Sequence, residues 1–192
     1  MCNDSGHPVH HHHMDDGTIH IRPVGVIKSR FKHFKWVSGE DPEEWRDRAA
    51  WMEQQRQSVS EIVVNENMEG ILDGIEELSH LIVLFWGDQM PEEKRFITKV
   101  HPLGNPEFPL VGVFATHSPV RPNSILITVV KLLERNGNVL KVSGLDALDG
   151  SPLLDIKPYN STYDEIEALK LPDWMKQLNQ RFSQKEYIET AD

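Results

Sequence analysis

The sequence is nearly free of cysteine, because Cys2 is the only one in 192 residues. A single cysteine excludes an internal disulfide framework, and its place in a polar terminus argues against a buried thiol nucleophile. No run approaches the roughly 18 apolar residues of a membrane span, and the opening stretch MCNDSGHPVHHHH holds no apolar segment for a signal peptide. We therefore expect a cytoplasmic protein that does not enter a membrane.

The motifs of several common site classes are also missing. The sequence has no G-x-G-x-x-G after a strand, no Walker loop, no H-E-x-x-H and no paired C-x-x-C. Rossmann-type cofactor binding and a structural zinc site therefore have no support, and we predict no metal site. The tract from His10 to His13, with His7, could bind nickel or zinc, but a purification tag or a floppy tail explains it better.

Charged residues of both signs are frequent and sum to a net charge of −10, but they are unevenly distributed along the sequence. Residues 41–80 contain eleven acidic and three basic side chains, whereas 22–35 contain five basic and no acidic ones. Phe31 and Phe34 lie among these basic residues, and Trp36 follows them. Such a pattern can hold an RNA backbone and stack its bases, although from the residues alone a solvated strand end with core aromatics is favoured.

The length and a hydrophobic content of 39% suit one domain with a sizeable core. We predict a disordered His-rich tail at 1–17, a domain at 18–163 with a helical insertion at about 41–60, and a C-terminal helical segment and tail at 164–192. Apolar and β-branched runs predict strands at 18–28, 61–64, 78–86, 111–116, 125–134 and 139–145. The run at 78–86 is nearly all apolar, which indicates a central strand buried on both faces.

Two helices are predicted beside these strands. Asp41 and Pro42 form a start signal for an amphipathic helix of about sixteen residues, with apolar side chains at Trp45, Ala49, Met52, Val59 and Val63. We expect this helix to pack on the barrel or on a partner subunit. A second helical pattern spans 163–182, breaks at Pro172 and restarts at Asp173, followed by a loose tail after 183. Residues 68–77 indicate a short helix or turn.

Short strands joined by tight turns favour closure into a barrel. Asn136-Gly137, between two of the predicted strands, is a strong hairpin signal. The predicted fold is therefore mostly β (α+β): a small antiparallel β-barrel with an inserted amphipathic helix and a C-terminal helix.

Polar residues concentrate in two loops between 111 and 159, and their density indicates binding rather than packing. The first reads HSPVRPNS from His117, and the second follows Ser143 and reads GLDALDGSP. Several segments match a known family: GVIKS at 25–29, GIEELSHL at 74–81, HPLG at 101–104, VFAT followed by SPVRPN, and LDALDGSPLLDIKPY at 145–159. On these motifs the chain resembles the TsaA-like (TrmO) family over about residues 19–160, with the helix at 41–60 and the C-terminal tail outside the resemblance.

The resemblance implies a small antiparallel β-barrel, a homodimer, and S-adenosylmethionine bound without a Rossmann fold. The implied reaction is methylation of the exocyclic N6 of threonylcarbamoyladenosine, the modified base beside the anticodon of certain tRNAs. The implied cofactor contacts are Phe34, Lys35, Trp36, Phe85, Trp86, His117, Ile127, Ser143, Gly144, Leu145 and Asp146. Asp146 and Trp36 are the strongest of these candidates, because a carboxylate suits hydroxyls or an ammonium and an aromatic face suits adenine or a sulfonium.

Catalytic and substrate-binding residues follow from the same resemblance. Asp149, Asp155 and Lys157 are the catalytic candidates, and Arg121, Asn123 and Tyr159 are the substrate-binding ones, with tRNA as the expected partner. Each has a structural alternative, since the aspartate of Asp149-Gly150 can cap a turn and Asp155 to Lys157 can form a simple ion pair.

The chain departs from the family pattern in one loop. His117, Ser124 and Leu126 stand where arginine, proline and glycine are expected. Histidine holds a carboxylate less well than arginine at neutral pH, and leucine adds bulk where a backbone approaches a ligand. Two alternatives to tRNA methylation therefore stay open: a methyltransferase of this fold acting on another substrate, and a non-catalytic S-adenosylmethionine-binding protein.

Overall fold

The computed structural model describes residues 18–34, 42–160 and 169–186. The predicted tail at 1–17 and two predicted site residues, Lys35 and Trp36, lie outside the described residues. The elements, in chain order, are β1 Gly25–Lys28, α1 Pro42–Arg56, β2 Val59–Val64, β3 His80–Trp86, β4 Lys99–Val100, β5 Val111–Gly112, β6 Ile125–Asn136, β7 Val139–Ser143, β8 Pro152–Pro158 and α2 Asp173–Glu186.

Six strands close into an antiparallel barrel in the order β1-β2-β7-β6-β3-β8. The hairpin between β6 and β7 turns at Asn136-Gly137, where Gly137 has a φ of 61° that other residues rarely adopt. The predicted barrel and this predicted turn are confirmed. β4 and β5 form a separate two-stranded sheet within the long excursion between β3 and β6.

Every barrel strand contributes at least one inward side chain to the barrel interior. Fully buried members include Ile27, Ile62, Leu81, Val130, Leu140 and Leu153. Each such side chain contributes about 1.5–3 kcal/mol through removal of its apolar surface from water. This core holds the strand ends, and the loops that follow them, in fixed positions.

Gly25 lies where β1 approaches β2 too closely for a side chain. A Cβ added at Gly25 would stand 2.3 Å from the backbone oxygen of Val63. We therefore expect Gly25→Ala to lower the free energy of unfolding by about 1–3 kcal/mol, as overpacking in a core does. Urea denaturation would measure this. The matched control is Gly112→Ala, whose added Cβ meets nothing within 4 Å; equal midpoints for the two variants would contradict the prediction.

Three predicted strands differ from the observed ones. The first strand begins at Gly25 rather than at 18, because Pro23 lacks an amide donor and Ile19 and Ile21 stay exposed. The run at 111–116 pairs for only two residues, and then turns into a 3-10 helix at Val113–Ala115 outside the barrel. β3 is buried on its inward face only, with every second residue partly exposed, since a barrel strand has one face turned outward.

Helix α1 has the predicted start and nearly the predicted length, 15 residues. Its inward face is not the apolar stripe that we expected. Trp51 and Met52 share that face with Arg48 and with Gln55, whose exposed fraction is 1%. Polar groups occur there because the helix covers a cavity. The valines at 59 and 63 belong to β2, so the helical spacing that joined them to α1 was coincidental.

Helix α2 confirms the predicted restart at Asp173, and it continues past 183 to Glu186. Lys176 and Asp173 form an ion pair in its first turn, and the ring of Trp174 lies 6.5 Å from that of Phe108 in the excursion. Of the predicted helix before the break at Pro172, residues 163–168 lie outside the described residues, and residues 169–172 are not helical. None of the helices in the described ranges is long and apolar enough to cross a membrane.

The end of the barrel where β3 begins is closed by residues 65–78. Arg135 of β6 donates hydrogen bonds to the backbone oxygen of Leu72 at 2.8 Å, to Glu76 at 3.0 Å and to Asp73 at 3.1 Å. A 3-10 turn at Ile75–Glu77 lies in this segment, in agreement with the short helix or turn predicted at 68–77.

Candidate functional site

A cavity of about 560 Å³ opens at the end of the barrel where β3 ends and β6 begins. Its volume falls within the range of about 300–1,000 Å³ that is usual for small-molecule sites. Its walls come from five places: Phe34 before α1, the inward face of α1, the segment after β3, the loop at 117–121 with the start of β6, and the turn after β7 at 144–148.

One wall of the cavity is an open strand edge. β7 ends at Ser143, opposite Lys131 of β6, so β6 continues toward Ile125 without a strand on that side among the described residues. Leu132 donates its amide to the oxygen of Ser79 on the β3 side, so residues of odd number direct their backbone groups the other way. The amides and carbonyls of Ile127 and Val129 therefore face the cavity, where they can pair with the polar edge of a flat ligand.

The turn after β7 brings a carboxylate to this open edge. Gly144 has a φ of 89°, which reverses the chain and directs Asp146 toward β6. There Thr128 donates a hydrogen bond from its hydroxyl to Oδ1 of Asp146. The sequence resemblance named Asp146, and the turn geometry explains why it reaches the cavity while its neighbour Leu145 is fully buried in the core.

The surroundings of Asp146 change its acidity. Desolvation by the cavity walls raises the pKa of its carboxyl, while the hydrogen bond from Thr128 and the charges of Arg56 and His117 lower it without cancelling the rise. The Asp146 side chain is still accessible from the open cavity, because the protein atoms around it leave the cavity side uncovered. Such a carboxylate is a strong acceptor for ligand hydroxyls or an ammonium group.

Aromatic rings form another part of the cavity lining. The rings of Phe34 and Trp51 meet edge to face with centroids 6.1 Å apart, and Trp51 also contacts Phe31 at 5.7 Å. The guanidinium of Arg48 lies 4.8 Å above the ring of Phe34. Phe85, at the end of β3, lines the floor of the cavity. Flat or cationic ligand groups suit these faces.

Two buried side-chain nitrogens of α1 lack a hydrogen-bond acceptor in the described part of the cavity wall. Nε of Arg48 and Nε2 of Gln55 are buried without a hydrogen-bond acceptor among the described residues. Burial lowers the pKa of Arg48 to about 10, so it still carries a charge at neutral pH. A buried donor without an acceptor costs about 1–3 kcal/mol, and a ligand that supplies acceptors removes that cost.

The residues of α1 were missed as site residues by the sequence reasoning. Arg48, Trp51 and Gln55 line the cavity, although the helix was expected to have a packing role only. The available signal was the interruption of its apolar face by Arg48 and Gln55, since a helix that packs on a core alone rarely places such groups inward.

Seven of the predicted site residues line the cavity together: Phe34, Phe85, His117, Arg121, Ile127, Gly144 and Asp146. Arg121 is partly committed to its own loop. Its Nε donates to the oxygen of Ser118 at 2.9 Å, and its Nη2 donates to the oxygen of Thr116 at 2.7 Å. This side chain therefore holds the rim of the cavity in shape as well as facing it.

Four further predicted contacts lie beside the cavity rather than in its wall. Ser143 is the last residue of β7, Leu145 belongs to the core, and Asn123 is exposed on the loop before β6. The guanidinium of Arg95 covers the ring of Trp86 at 5.4 Å.

The three catalytic candidates are not brought to the cavity within one chain. Asp149 accepts a hydrogen bond from the amide of Ser29 at 3.0 Å and thereby braces the loop that carries Phe34. Asp155 and Lys157 form an ion pair of 2.7 Å on the outer face of β8, and Tyr159 lies against His80 with ring centroids 6.4 Å apart. Within the described ranges, no cluster of three potential metal ligands occurs.

Comparison with known proteins identifies the family. The sequence model of the tRNA-methyltransferase O N-terminal domain matches residues 48–165, which is more than half of the chain. The chain belongs to the TrmO family. The match begins inside α1, at the residue whose guanidinium lines the cavity, so the expectation that the whole helix lies outside the family pattern was wrong for its second half.

Relatives in the TrmO family differ in length and in what they are called. A protein of Archaeoglobus fulgidus named probable S-adenosyl-L-methionine-binding protein is 40% identical over 161 residues, which cover 84% of this chain and 39% of that protein. One of the same name from Methanothermobacter thermautotrophicus is 39% identical and covers 81% of this chain and 98% of its own length. The tRNA (adenine(37)-N6)-methyltransferase of Mus musculus is 40% identical over 107 residues, 55% of this chain and 24% of that protein.

The barrel is also similar to a solved member of the TrmO family. The crystal structure of TrmO from Pseudomonas aeruginosa superposes with a TM-score of 0.56 at 27% identity, covering 80% of this chain and 61% of that one. The chain thus spans less than two thirds of that enzyme and of the first relative.

Proposed function

We propose that this chain is an S-adenosylmethionine-dependent methyltransferase that modifies the N6 of an adenosine in tRNA, with threonylcarbamoyladenosine beside the anticodon as the preferred substrate. The observation that carries the proposal is the cavity, in which a carboxylate, aromatic faces, a buried guanidinium and an open strand edge surround one volume. The names of the archaeal relatives support the cofactor, and the name of the mouse enzyme supports the reaction.

The cavity fits the methyl donor group by group. The free backbone groups of Ile127 and Val129 suit the hydrogen-bonding edge of adenine, and Asp146 suits the ribose hydroxyls or the methionine ammonium. Arg48, whose Nε lacks a protein partner in the described ranges, suits the methionine carboxylate. When bound, S-adenosylmethionine supplies a methyl group on a sulfonium that is already a good electrophile.

The protein's contribution is then positioning, exclusion of water and acceptance of a proton. The rings of Phe34 and Trp51 shield one side of the cavity from solvent. Asp88 and Asp146 are the two carboxylates among the described residues that line it. A proton released from the substrate's amino nitrogen would therefore pass to one of these, and Asp88 is the better candidate because Asp146 already accepts a hydrogen bond from Thr128.

A homodimer, which the resemblance implied, would use the outer face of β6, β3 and β8. On β6 this face exposes Ile125, Ile127, Val129 and Leu133 in alternation. The adjoining part of β8 exposes Lys157 and Tyr159. Because these polar residues do not reach the cavity of their own chain, the catalytic role proposed for Asp155 and Lys157 requires that they act in the cavity of a partner copy.

The test has two arms. Isothermal titration with S-adenosylmethionine should show saturable binding, and transfer of a labelled methyl group to total tRNA from a strain that lacks its own enzyme should follow. Absence of cofactor binding would refute the proposal at its first step. Binding with transfer to another substrate or with no transfer would leave the two alternatives, of which the second is favoured by the change to His117 at the cavity rim.

Gln55 offers a further prediction at this site. Replacing it by leucine removes a buried amide nitrogen that has no partner in the part of the chain described here, and keeps nearly the same volume. We expect Gln55→Leu to weaken S-adenosylmethionine binding by about tenfold, the equivalent of one hydrogen bond, while the unliganded protein becomes no less stable. Titration calorimetry and thermal unfolding would measure the two effects. Unchanged affinity would exclude a contact between Gln55 and the ligand.

A further inference from the structure

The excursion between β3 and β6 ends in an exposed aromatic tip. Phe96 and Phe114 have exposed fractions of 78% and 80%, and Ile97 one of 40%. Val113 donates its amide to the oxygen of Thr98 at 2.9 Å, which extends the β4-β5 pairing and brings the flanking Ile97 and Phe114 together. We call Phe96, Ile97 and Phe114 the aromatic tip. Two phenyl rings with most of their surface in water mark a binding surface.

Basic residues lie close to the aromatic tip along the sequence although the chain as a whole is acidic. Lys94, Arg95 and Lys99 fall within six consecutive positions, with Glu92 and Glu93 before them and no further acidic residue until Glu107. Lys99 is exposed, and the guanidinium of Arg95 stacks on Trp86 at the end of β3. Cations interleaved with exposed aromatic rings suit a ligand with both phosphates and flat bases.

The aromatic tip is joined to the cavity by a short, rigid link. Phe114 precedes His117, which lines the cavity, by three positions. Thr116 donates its hydroxyl to the oxygen of Val113 at 2.8 Å, and Arg121 donates to the oxygen of Thr116 at 2.7 Å. A ligand held by the tip is therefore held at a fixed position relative to the cavity mouth.

We propose that the aromatic tip stacks an unpaired base of an RNA substrate, next to the nucleotide whose base enters the cavity. The inference rests on the proposed function and names the surface by which the substrate is held. A stacked neighbour explains why rings, rather than aliphatic side chains, carry most of the exposed surface, since every base has a face that fits a phenyl ring. Lys94, Arg95 and Lys99 then attract the adjoining phosphates.

The experiment measures binding of a fluorescently labelled anticodon stem-loop RNA to the full chain by anisotropy at fixed salt. Phe96→Leu and Phe114→Leu keep apolar surface but remove the ring, and each should weaken binding by roughly 5- to 100-fold. Phe114→Trp keeps an aromatic ring and should bind the RNA as tightly as the unaltered chain does, or more tightly. Ile71→Ala, an exposed apolar residue in the segment that closes the other end of the barrel, is the matched control and should bind RNA as the unaltered chain does.

Two accompanying measurements separate this inference from its rivals. Titration with S-adenosylmethionine and sedimentation should give the same values for the leucine variants and the unaltered chain. Full RNA affinity in both leucine variants, lack of RNA binding by the unaltered chain, or a change of oligomeric state in the variants would overturn the proposal, the last by making the tip a protein contact. Failure of the proposed function is recognised separately, as absence of methyl transfer by the unaltered chain.

Discussion

Replacing Asp146 by asparagine is expected to abolish measurable binding of S-adenosylmethionine, with a loss of at least about 100-fold. Asp146 carries one of two carboxylates among the described cavity residues, and Thr128 orients it from the open edge of β6. Hydrogen bonds to a charged acceptor inside a partly desolvated site contribute about 1.5–3 kcal/mol each, and a carboxylate that holds two ligand groups accounts for the expected loss. Titration calorimetry at neutral pH measures it.

The raised pKa of Asp146 adds a dependence on pH to this prediction. Since the unliganded carboxyl binds a proton more readily than an ordinary aspartate does, S-adenosylmethionine affinity should fall on acidification at a higher pH than for an ordinary carboxylate. Stability has the opposite sign. Between the ordinary pKa and the raised one, the folded protein binds more protons than the unfolded chain, so the stability of the unliganded protein decreases as pH rises through that window.

Asp146→Asn should therefore lose the ligand and gain stability. At neutral pH the variant no longer holds a partly desolvated charge, so its melting temperature without ligand should be equal to or above that of the unaltered chain. Glu134→Gln is a matched control, because Glu134 is an exposed carboxylate on β6 that pairs only with Lys141 at 3.1 Å in the described structure. A well-folded Asp146→Asn variant with unchanged affinity would remove Asp146 from the site.

The barrel could be predicted because its signals are local. Apolar and β-branched runs in β2, β6 and β7, together with the left-handed Gly137 in the hairpin, locate these strands and one turn without knowledge of the rest of the fold. The barrel strand β8 was not predicted, because the motif at 145–159 was interpreted as a loop. The first strand and the strand at 111–116 were predicted too long because strand pairing, unlike a local pattern, depends on a neighbouring strand. Apolar alternation indicates where a strand can form, but pairing ends where no neighbouring strand is available.

The site could be predicted in part, and the division has a physical cause. Asp146 follows β7 of the barrel and His117 lies in the loop that leads into β6, so motif position and cavity position coincide. Asp155 and Lys157 belong to an equally distinctive motif, yet a bulge between Leu153 and Asp155 of β8, opposite Leu84 and Phe85 of β3, turns them outward. Which face a residue takes after a bulge depends on the closed barrel, and one strand's sequence does not contain that information.

The contribution of α1 was hidden for a different reason. Helical periodicity distinguishes apolar faces from polar ones, but a helix that covers a ligand cavity has apolar and polar residues on the same face. Arg48 and Gln55 therefore interrupt the apolar face of α1 while lining the cavity. An inward polar residue on an otherwise core-facing helix is thus a sign of a site in this fold.

Replacing Arg48 by methionine is expected to weaken S-adenosylmethionine binding by roughly 10- to 100-fold. The guanidinium is held above the ring of Phe34 at 4.8 Å, and its Nε has no acceptor among the described residues, so a buried positive charge with an unpaired donor belongs to the cavity lining. A ligand carboxylate would pair with it in two parallel hydrogen bonds, and loss of a charged bond costs about 1.5–3 kcal/mol.

A change of ligand tests this assignment more sharply than the affinity alone. Methionine keeps the packing of the Arg48 side chain on Phe34, so Arg48→Met should leave the free energy of unfolding unchanged or raised by about 1–3 kcal/mol, because a buried unpaired donor is removed. Lysine should restore only part of the affinity, since it lacks the planar fork. An S-adenosylmethionine analogue without the carboxylate should bind the unaltered chain and Arg48→Met equally well. If Arg48→Met weakens binding of that analogue as much as it weakens binding of S-adenosylmethionine, Arg48 contacts another part of the ligand.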